Sequence, residues 1–462
     1  MTVRLYNSLT RTVEVLQPRK DKHVDMFVCG PTVYDLVHIG NARTFAVFDV
    51  AAKWLRYRGF AVRYIQNITD VDDKIIARAA AEKEDPAAYA ERYYREFMRD
   101  MSALGNTAVD TFVRATEHIP QVIAQVKALR DKGFAYLIEG DGWYFDLAKF
   151  PGYGKLSGRT ALQADDAVSR IDENPDKRNP GDFCVWKISK PDEPSWDDDE
   201  LGRGRPGWHI EDTAMTEAYF GPQYDLHGGG IDLKFPHHEA EIAQQEAASG
   251  KVPFVRHWMH AGFLQVAGGK MSKSVGNIIS LRDALKQWPA EALRFFFLSA
   301  VWHEPLALSD EALKASAAAV QRLGELRRKL VTFSSDKAAD RFGVAVADAR
   351  AEVENAMDDD LNTPKAFGAV FSLVAQMNAG AEEGFSDRDA SAAESFFAFV
   401  SEVFGVVPSA SHAPAEVDAL VGEREQARAR KDWDVADRIR GQLGEMGWTV
   451  DDTPYGPLVK KK

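Results

Sequence analysis

Cysteine is almost absent from this chain: among 462 residues only Cys29 and Cys184 carry a thiol. So few exclude a disulfide framework and fit a reducing cytosol. Long hydrophobic runs are missing as well. No window offers eighteen apolar residues, and the opening MTVRLYNSLTRTVEV lacks a secretory layout, so a cytoplasmic chain without a membrane partner is expected. Positive charge is in deficit, with 57 Lys and Arg against 70 Asp and Glu. The resulting −13 argues against non-specific nucleic-acid binding, but leaves room for a nucleic acid met at a local basic face. The first quarter of the chain also holds no Gly-x-Gly-x-x-Gly.

What is present reads as globular: 45% hydrophobic and 27% charged residues. The length exceeds what one core supports, so three or more domains are expected. Residues 1–114 alternate strand and helix signals, with an antiparallel hairpin first and a Rossmann-like half after it. Residues 115–194 interrupt this with a helix, short Gly- and aromatic-rich strands and the polar loop IDENPDKRNPGD, which together read as an insertion. Residues 195–250 return to strand, loop and helix. Residues 251–315 carry a strand-like stretch and a lysine-rich loop, and 316–406 turn alanine-rich and helical. Residues 407–462 begin with a Pro/Ser/Ala linker, then offer one amphipathic helix, a strand pair and a basic tail. The fold class expected is α/β: a parallel-sheet domain with an insertion, an all-α bundle, and a small C-terminal α+β domain.

The stretch Asp25–Arg43, DMFVCGPTVYDLVHIGNAR, organises the first half. Met26 to Cys29 suit a buried strand; Gly30 and Pro31 stop it; Ile39 to Arg43 lead into a helical pattern. A second strand, FAVRYIQNITD, closes on Asn67, Thr69 and Asp70. Ligands of open parallel sheets lie outside the carboxyl ends of the strands, and Cys29 and Thr69 both fall there.

Each motif has a plain alternative. His38-Ile39-Gly40-Asn41 is either a loop-to-helix turn or a phosphate site, with Gly40 admitting the phosphate and His38 donating to it. Lys270-Met271-Ser272-Lys273-Ser274 is either a solvated basic loop or a mobile one bringing ammonium groups onto a polyphosphate. Gly228-Gly229-Gly230-Ile231-Asp232 is a turn, or a backbone approach followed by a carboxylate able to hold a ribose diol. His237 and Glu241, i and i+4 on a helix opened by Pro236, are a surface pair or a metal pair. Cys29 is a small buried hydrophobe or a ligand.

Taken together, HIGN at the head of the first Rossmann helix and KMSKS some 230 residues later resemble the paired signature of class I aminoacyl-tRNA synthetases. FVCGPTVYD, NITDVDDKI, GWHIEDTAM, HGGGIDLKFPHHEAEIAQ, DDDLNTPKAF and ARKDWDVADRIR resemble the cysteinyl-tRNA synthetase family along nearly the whole chain. The resemblance implies ATP-dependent ligation of L-cysteine to tRNA(Cys), through a cysteinyl-adenylate, by a monomer. It implies one zinc ion per subunit on Cys29, His237, Glu241 and the residue at 212, with Mg²⁺ accompanying ATP. It implies catalytic roles for His38, Asn41, Lys270 and Lys273, and ATP contacts at Gly40, Gly229, Asp232 and Lys273. Thr69 and Trp208 would neighbour the amino acid. In these terms 1–114 and 195–250 are the catalytic domain, 115–194 the connective insertion, 251–315 a stem-contact region, 316–406 the bundle and 407–462 the anticodon-binding domain. Arg428, Arg430, Lys431, Arg438 and Arg440 are candidate phosphate contacts or a solvated face.

One position departs from the family pattern. Where that pattern has cysteine after Trp-His-Ile-Glu, this chain has Asp212, while Cys184 falls in the insertion. A carboxylate can ligate zinc with the same formal charge, giving a harder site that binds its metal less tightly. The chemistry explains the need for a metal: sulfur and oxygen isosteres are separated only modestly by a plain pocket, whereas an open zinc position favours thiolate over hydroxyl.

Overall fold

The computed structural model describes residues 2–159, 174–266, 269–270, 279–336, 338–408, 414–453 and 456–461. The Met271–Ser274 motif with Lys273, the start of the 171–182 loop and residues 409–413 of the Pro/Ser/Ala linker lie outside them. The described chain forms two units, and the first holds residues 1–287, 300–308 and 358–361.

That unit begins with β1 (Arg4–Asn7) and β2 (Thr12–Val15), an antiparallel hairpin. Then come β3 (His23–Val28), α1 (Ile39–Tyr57), β4 (Ala61–Ile68), α2 (Asp73–Glu82), α3 (Pro86–Leu104) and β5 (Thr111–Arg114). The insertion contributes α4 (Ile119–Asp131), β6 (Ala135–Ile138), β7 (Gly142–Phe145), β8 (Phe183–Ile188) and β9 (Gly204–Pro206). After it follow α5 (Ile210–Phe220), β10 (Tyr224–Gly230), α6 (His237–Ser249) and β11 (Val255–Ala261). Then follow β12 (Leu264–Val266), β13 (Gly269–Lys270) and α7 (Leu281–Gln287), and a short strand at Leu306–Leu308 pairs parallel with β12.

The central sheet runs β11-β10-β3-β4-β5, all pairs parallel. Strand β3 occupies the middle because it is apolar on both faces: Val24, Met26, Phe27 and Val28 are fully buried, as a strand between two parallel neighbours and two helical layers must be. The chain leaves β3 toward β4 on one side and returns to β10 on the other. The order therefore reverses between β3 and β10, and a crevice opens there at the strands' carboxyl ends. The ladder continues past β3, with Cys29 N–H donating to Gly228 O at 2.9 Å. A Cβ at Gly228 would stand 2.3 Å from Phe48 Cε1, so only glycine lets α1 lie this close to β10.

The insertion's antiparallel sheet, β6-β7-β8-β9, includes a strand at Gly204–Pro206, beyond the boundary at 194 expected from composition. Three residues flanked by polar loops carry no periodicity by which to place it. Likewise β11, within the expected 251–315 segment, is the edge strand of the central sheet.

The second unit is largely helical. Helices Asp310–Thr332, Gly343–Asp358, Thr363–Ala379 and Asp387–Phe404 bury apolar faces that include Leu323, Leu326, Val353, Phe367, Val370, Phe396 and Val400. The C-terminal segment departs from the single helix expected. It forms two, Ala415–Ala429 and Trp433–Glu445, ahead of a strand pair at Trp448–Thr453 and Gly456–Lys461. The break falls where Lys431 takes φ 60° and the Asp432 carboxylate accepts Val435 N–H. That capping bond offers the backbone an alternative to the helical ladder.

Candidate active site and metal centre

A cleft of about 350 Å³ lies at the carboxyl ends of β3 and β10, bordered by residues of the Asp25–Arg43 stretch and by Thr69, Trp208, Asp212, Asp232 and His237. One wall is the head of α1. His38 caps the helix, its Nδ1 accepting Asn41 N–H at 3.2 Å, and His38, Gly40 and Asn41 all border the cleft. The helix N-terminus there offers a partial positive charge to an anion. The chain leaving the lysine-rich segment comes back to this spot: Ile39 N–H donates to Ile279 O at 3.0 Å and Leu281 N–H to Val37 O at 2.8 Å. Lys270 pairs in β13 with Gln265 of β12.

At the cleft's floor are Cys29, just past β3; Asp212, in the first turn of α5; and His237 and Glu241, one turn apart on α6. All four are at least 96% buried. His237 Nε2 lies 3.0 Å from both Asp212 Oδ2 and Glu241 Oε1, and Cys29 Sγ lies 3.4 Å from Asp212 Oδ2 and 3.9 Å from Glu241 Oε1. The four residues implied by the resemblance thus converge on one point. Trp208 stacks on the His237 ring, centroids 4.6 Å apart. Thr69 donates its hydroxyl to Glu211 at 2.5 Å, fixing its lone pairs.

Sequence reasoning missed a second layer. His238 Nε2 and His227 Nε2 approach Cys29 Sγ at 3.1 and 3.3 Å, and with Glu241 they make an alternative donor set sharing two members with the first. Among the described residues, Cys29, Asp212 and His237 border the cleft, whereas His227, His238 and Glu241 stand outside its lining. The first set puts three of its members on the cleft and the second only Cys29, so the first is the more open to a small molecule, as a metal site that binds substrate requires. His238 Nδ1 is 2.8 Å from His260 Nε2, and His237 Nδ1 is 2.8 Å from His209 Nδ1, so both rings are oriented from behind. The only available signal was the paired His237-His238. Gly229 packs beneath His238, where a Cβ would lie 2.8 Å from Cε1, while Gly230 and Asp232 border the cleft.

The electrostatics ask for a cation. Burial pushes the Cys29 thiol well up, and the Asp212 and Glu241 carboxylates push it further. Burial raises Glu241 well above the usual carboxylate range, with the Asp212 charge adding to it. Burial also holds His209, His227 and His238 well below the ordinary imidazole value, so the rings are neutral donors or ligands. Glu241 Oε2 is buried without a hydrogen-bond partner. A thiol, two carboxylates and neutral imidazoles with no ammonium or guanidinium among them fit a divalent metal.

Elsewhere, of the candidate phosphate contacts, Arg428 pairs with Asp452 at 2.8 Å and Arg440 with Asp437 at 3.0 Å. Arg430, Lys431 and Arg438 are exposed on the C-terminal helices and their turn. No described helix is long and apolar enough to cross a membrane.

The sheet order and the crevice at its switch point, with the head of α1 in its wall, are those of a class I aminoacyl-tRNA synthetase fold. Methionyl-tRNA synthetase of Mycobacterium tuberculosis bound to methionyl-adenylate superposes with a TM-score of 0.61 at 17% identity, over 83% of this chain and 92% of that one. Residues 15–318 match the class I (C) tRNA synthetase catalytic domain, 352–407 the DALR domain, and 411–456 the cysteinyl-tRNA ligase anticodon binding domain. The cysteine–tRNA ligase of Pelotomaculum thermopropionicum is 43% identical, with 100% of both chains covered, and that of Coxiella burnetii 42%, with 99% of each. The chain belongs to the cysteine–tRNA ligase family.

Proposed function

We propose that this chain ligates L-cysteine to tRNA(Cys) using ATP, through a cysteinyl-adenylate. The observation that carries the reading is the donor set of Cys29, Asp212, His237 and Glu241 at the floor of a cleft that the head of α1 borders. Zinc held by these four would supply affinity for the substrate's sulfur and favour its thiolate. The remaining work falls to the chain's own groups. Trp208 and Thr69 would flank the amino acid, Trp208 as an apolar wall and Thr69 as a hydrogen-bond partner whose proton is already given to Glu211. The cysteine carboxylate would attack the ATP α-phosphate in line and displace pyrophosphate. His38, Asn41 and Gly40 would meet the phosphates at the head of α1, with Mg²⁺ accompanying the nucleotide. Lys270 and Lys273 would reach the same phosphates; the return of the chain to α1 at Ile279 supports this. Asp232, exposed at the cleft rim beside Gly230, would take the ribose hydroxyls, with Gly229 keeping the strand close.

The domain reading gives the acyl acceptor. Residues 1–114 and 195–250 would form the catalytic domain around the 115–194 insertion, with 251–315 meeting the acceptor stem, 316–406 the tRNA body and 407–462 the anticodon. The C-terminal match at 411–456 favours tRNA over a small amine as acceptor. All donors come from one chain, which fits a monomer, and two cysteines outside any disulfide fit the cytoplasm. Cysteine-dependent ATP–pyrophosphate exchange with zinc-loaded protein tests the first step, and its absence would overturn the reading. Charging of tRNA(Cys) transcript tests the second, and exchange without charging would overturn the acceptor.

A further inference from the structure

We propose that Asn67 is the positioning residue that makes Asp212 serve as a one-oxygen metal ligand, a task a thiolate at that position would not require. The proposal rests on the metal reading above. Asn67 stands near the end of β4, 2% exposed, and its amide has one orientation. Gly30 N–H donates to Oδ1 at 2.5 Å, so that atom is the oxygen, and Nδ2 faces Asp212 Oδ1 at 2.7 Å. The other carboxylate oxygen, Oδ2, is thereby aimed at the donor cluster, 3.0 Å from His237 Nε2 and 3.4 Å from Cys29 Sγ.

A carboxylate on a helix can rotate, bind through both oxygens, or turn away; each alternative lowers the population ready to ligate. The Asn67 amide removes them by occupying Oδ1. It also ties two ligand-bearing segments together, because Gly30 follows Cys29 and approaches so closely that a Cβ there would lie 1.8 Å from the Asn67 carbonyl oxygen. Cysteine at 212 would offer one sulfur and no second acceptor, leaving Nδ2 only Thr69 Oγ1 at 3.4 Å. The benefit of Asn67 therefore depends on the residue at 212. Outer partners of metal ligands are typically worth 10- to 100-fold in affinity.

The test is a double-mutant cycle on zinc affinity, read by competition with a chromogenic chelator in the full chain: unchanged protein, Asn67→Ala, Asp212→Cys and both. The expected result is about 10- to 100-fold weaker zinc binding for Asn67→Ala beside Asp212, and under about threefold beside Cys at 212. Equal losses in both backgrounds would overturn the proposal, as would no loss beside Asp212. Chelator-treated melting of each variant separates a folding defect from a metal defect. Should Asn67→Ala fail to fold, Asn67→Asp keeps the acceptor for Gly30 and replaces the donor with a like charge, so a loss at least as large is expected. Zinc-free unchanged protein would sink the metal reading itself, whereas an additive cycle in zinc-binding protein sinks only the role of Asn67.

Discussion

Arg43 and Cys29 are both buried polar groups of the same unit, and they are answered differently. Arg43, on α1, is fully buried, and its two terminal nitrogens donate to four backbone carbonyls: Gly262 and Phe263 at 2.8 and 2.9 Å, Glu304 and Val301 at 2.8 and 3.4 Å. A lone cation is thus dispersed over neutral dipoles, and burial lowers its pKa only to about 10, leaving it charged. Cys29 gathers the reverse: acids around a thiol, and no opposing ammonium or guanidinium beside them among the described residues. The first arrangement satisfies both terminal nitrogens, leaves only Nε without a partner, and holds α1 to the segments at 262–263 and 301–304. The second is complete only with something added. A buried cation answered by the chain's own carbonyls is architecture; a buried thiol and acids whose charged forms are left unanswered mark a candidate site.

The contrast can be broken at either end. The largest effect is expected for Arg43→Ala, which leaves buried carbonyls without donors; a loss of about 3 kcal/mol or more in urea unfolding is expected. A loss under about 1 kcal/mol would deny Arg43 its structural role. Next, removing zinc with a chelator is expected to lower unfolding stability by about 2.7 kcal/mol relative to protein with free zinc at a hundred times its Kd. Arg43 variants that still fold should keep that zinc response, and a chain whose melting ignores zinc would erase the distinction. Asp212→Cys sharpens the comparison by softening the donor set: zinc is expected to bind about tenfold tighter, or about 1.4 kcal/mol, in chelator competition.

The smallest effect concerns a charge pair with access to water. Arg424 grips Asp452 through two bonds of 2.8 and 2.9 Å, and the Arg424 guanidinium holds the carboxyl below its usual range despite some burial. A depressed carboxyl pKa stabilises the fold above the unfolded value, near 4, and that contribution is lost as pH falls through the folded value. With Asp452 43% exposed, Asp452→Asn is expected to cost no more than about 1 kcal/mol at pH 7 and to flatten stability below pH 4. Stability that keeps its acid slope in the variant would assign the slope to other groups.

Much of the site was legible before any coordinates. The apolar run Met26–Val28 had to be a buried strand, His38 and Gly40 marked a helix head, and the Pro236–Glu241 spacing put two donors on one helical face. The second histidine layer was not legible, for a physical reason. His238 points about 100° around α6 from His237, which on a half-exposed helix would turn it away from the cluster. But α6 is buried on every side from His237 to Ala248, so both directions meet protein. In the same way the left-handed Lys431 and the Asp432 cap that starts a new helix divide a helical pattern that periodicity alone carried through.

The order of residues determined by itself the elements that carry the chemistry, because strand burial, helix capping and i, i+4 spacing are local properties. It also named the anomaly, an aspartate at 212 in a place the resemblance gives to sulfur. Whether that aspartate could work was decided by tertiary structure alone. Its partner Asn67 is 145 residues away, and they meet because a parallel sheet brings the carboxyl ends of distant strands to one rim, where α5 also begins. Local physics chose the donors; topology chose which of them face each other.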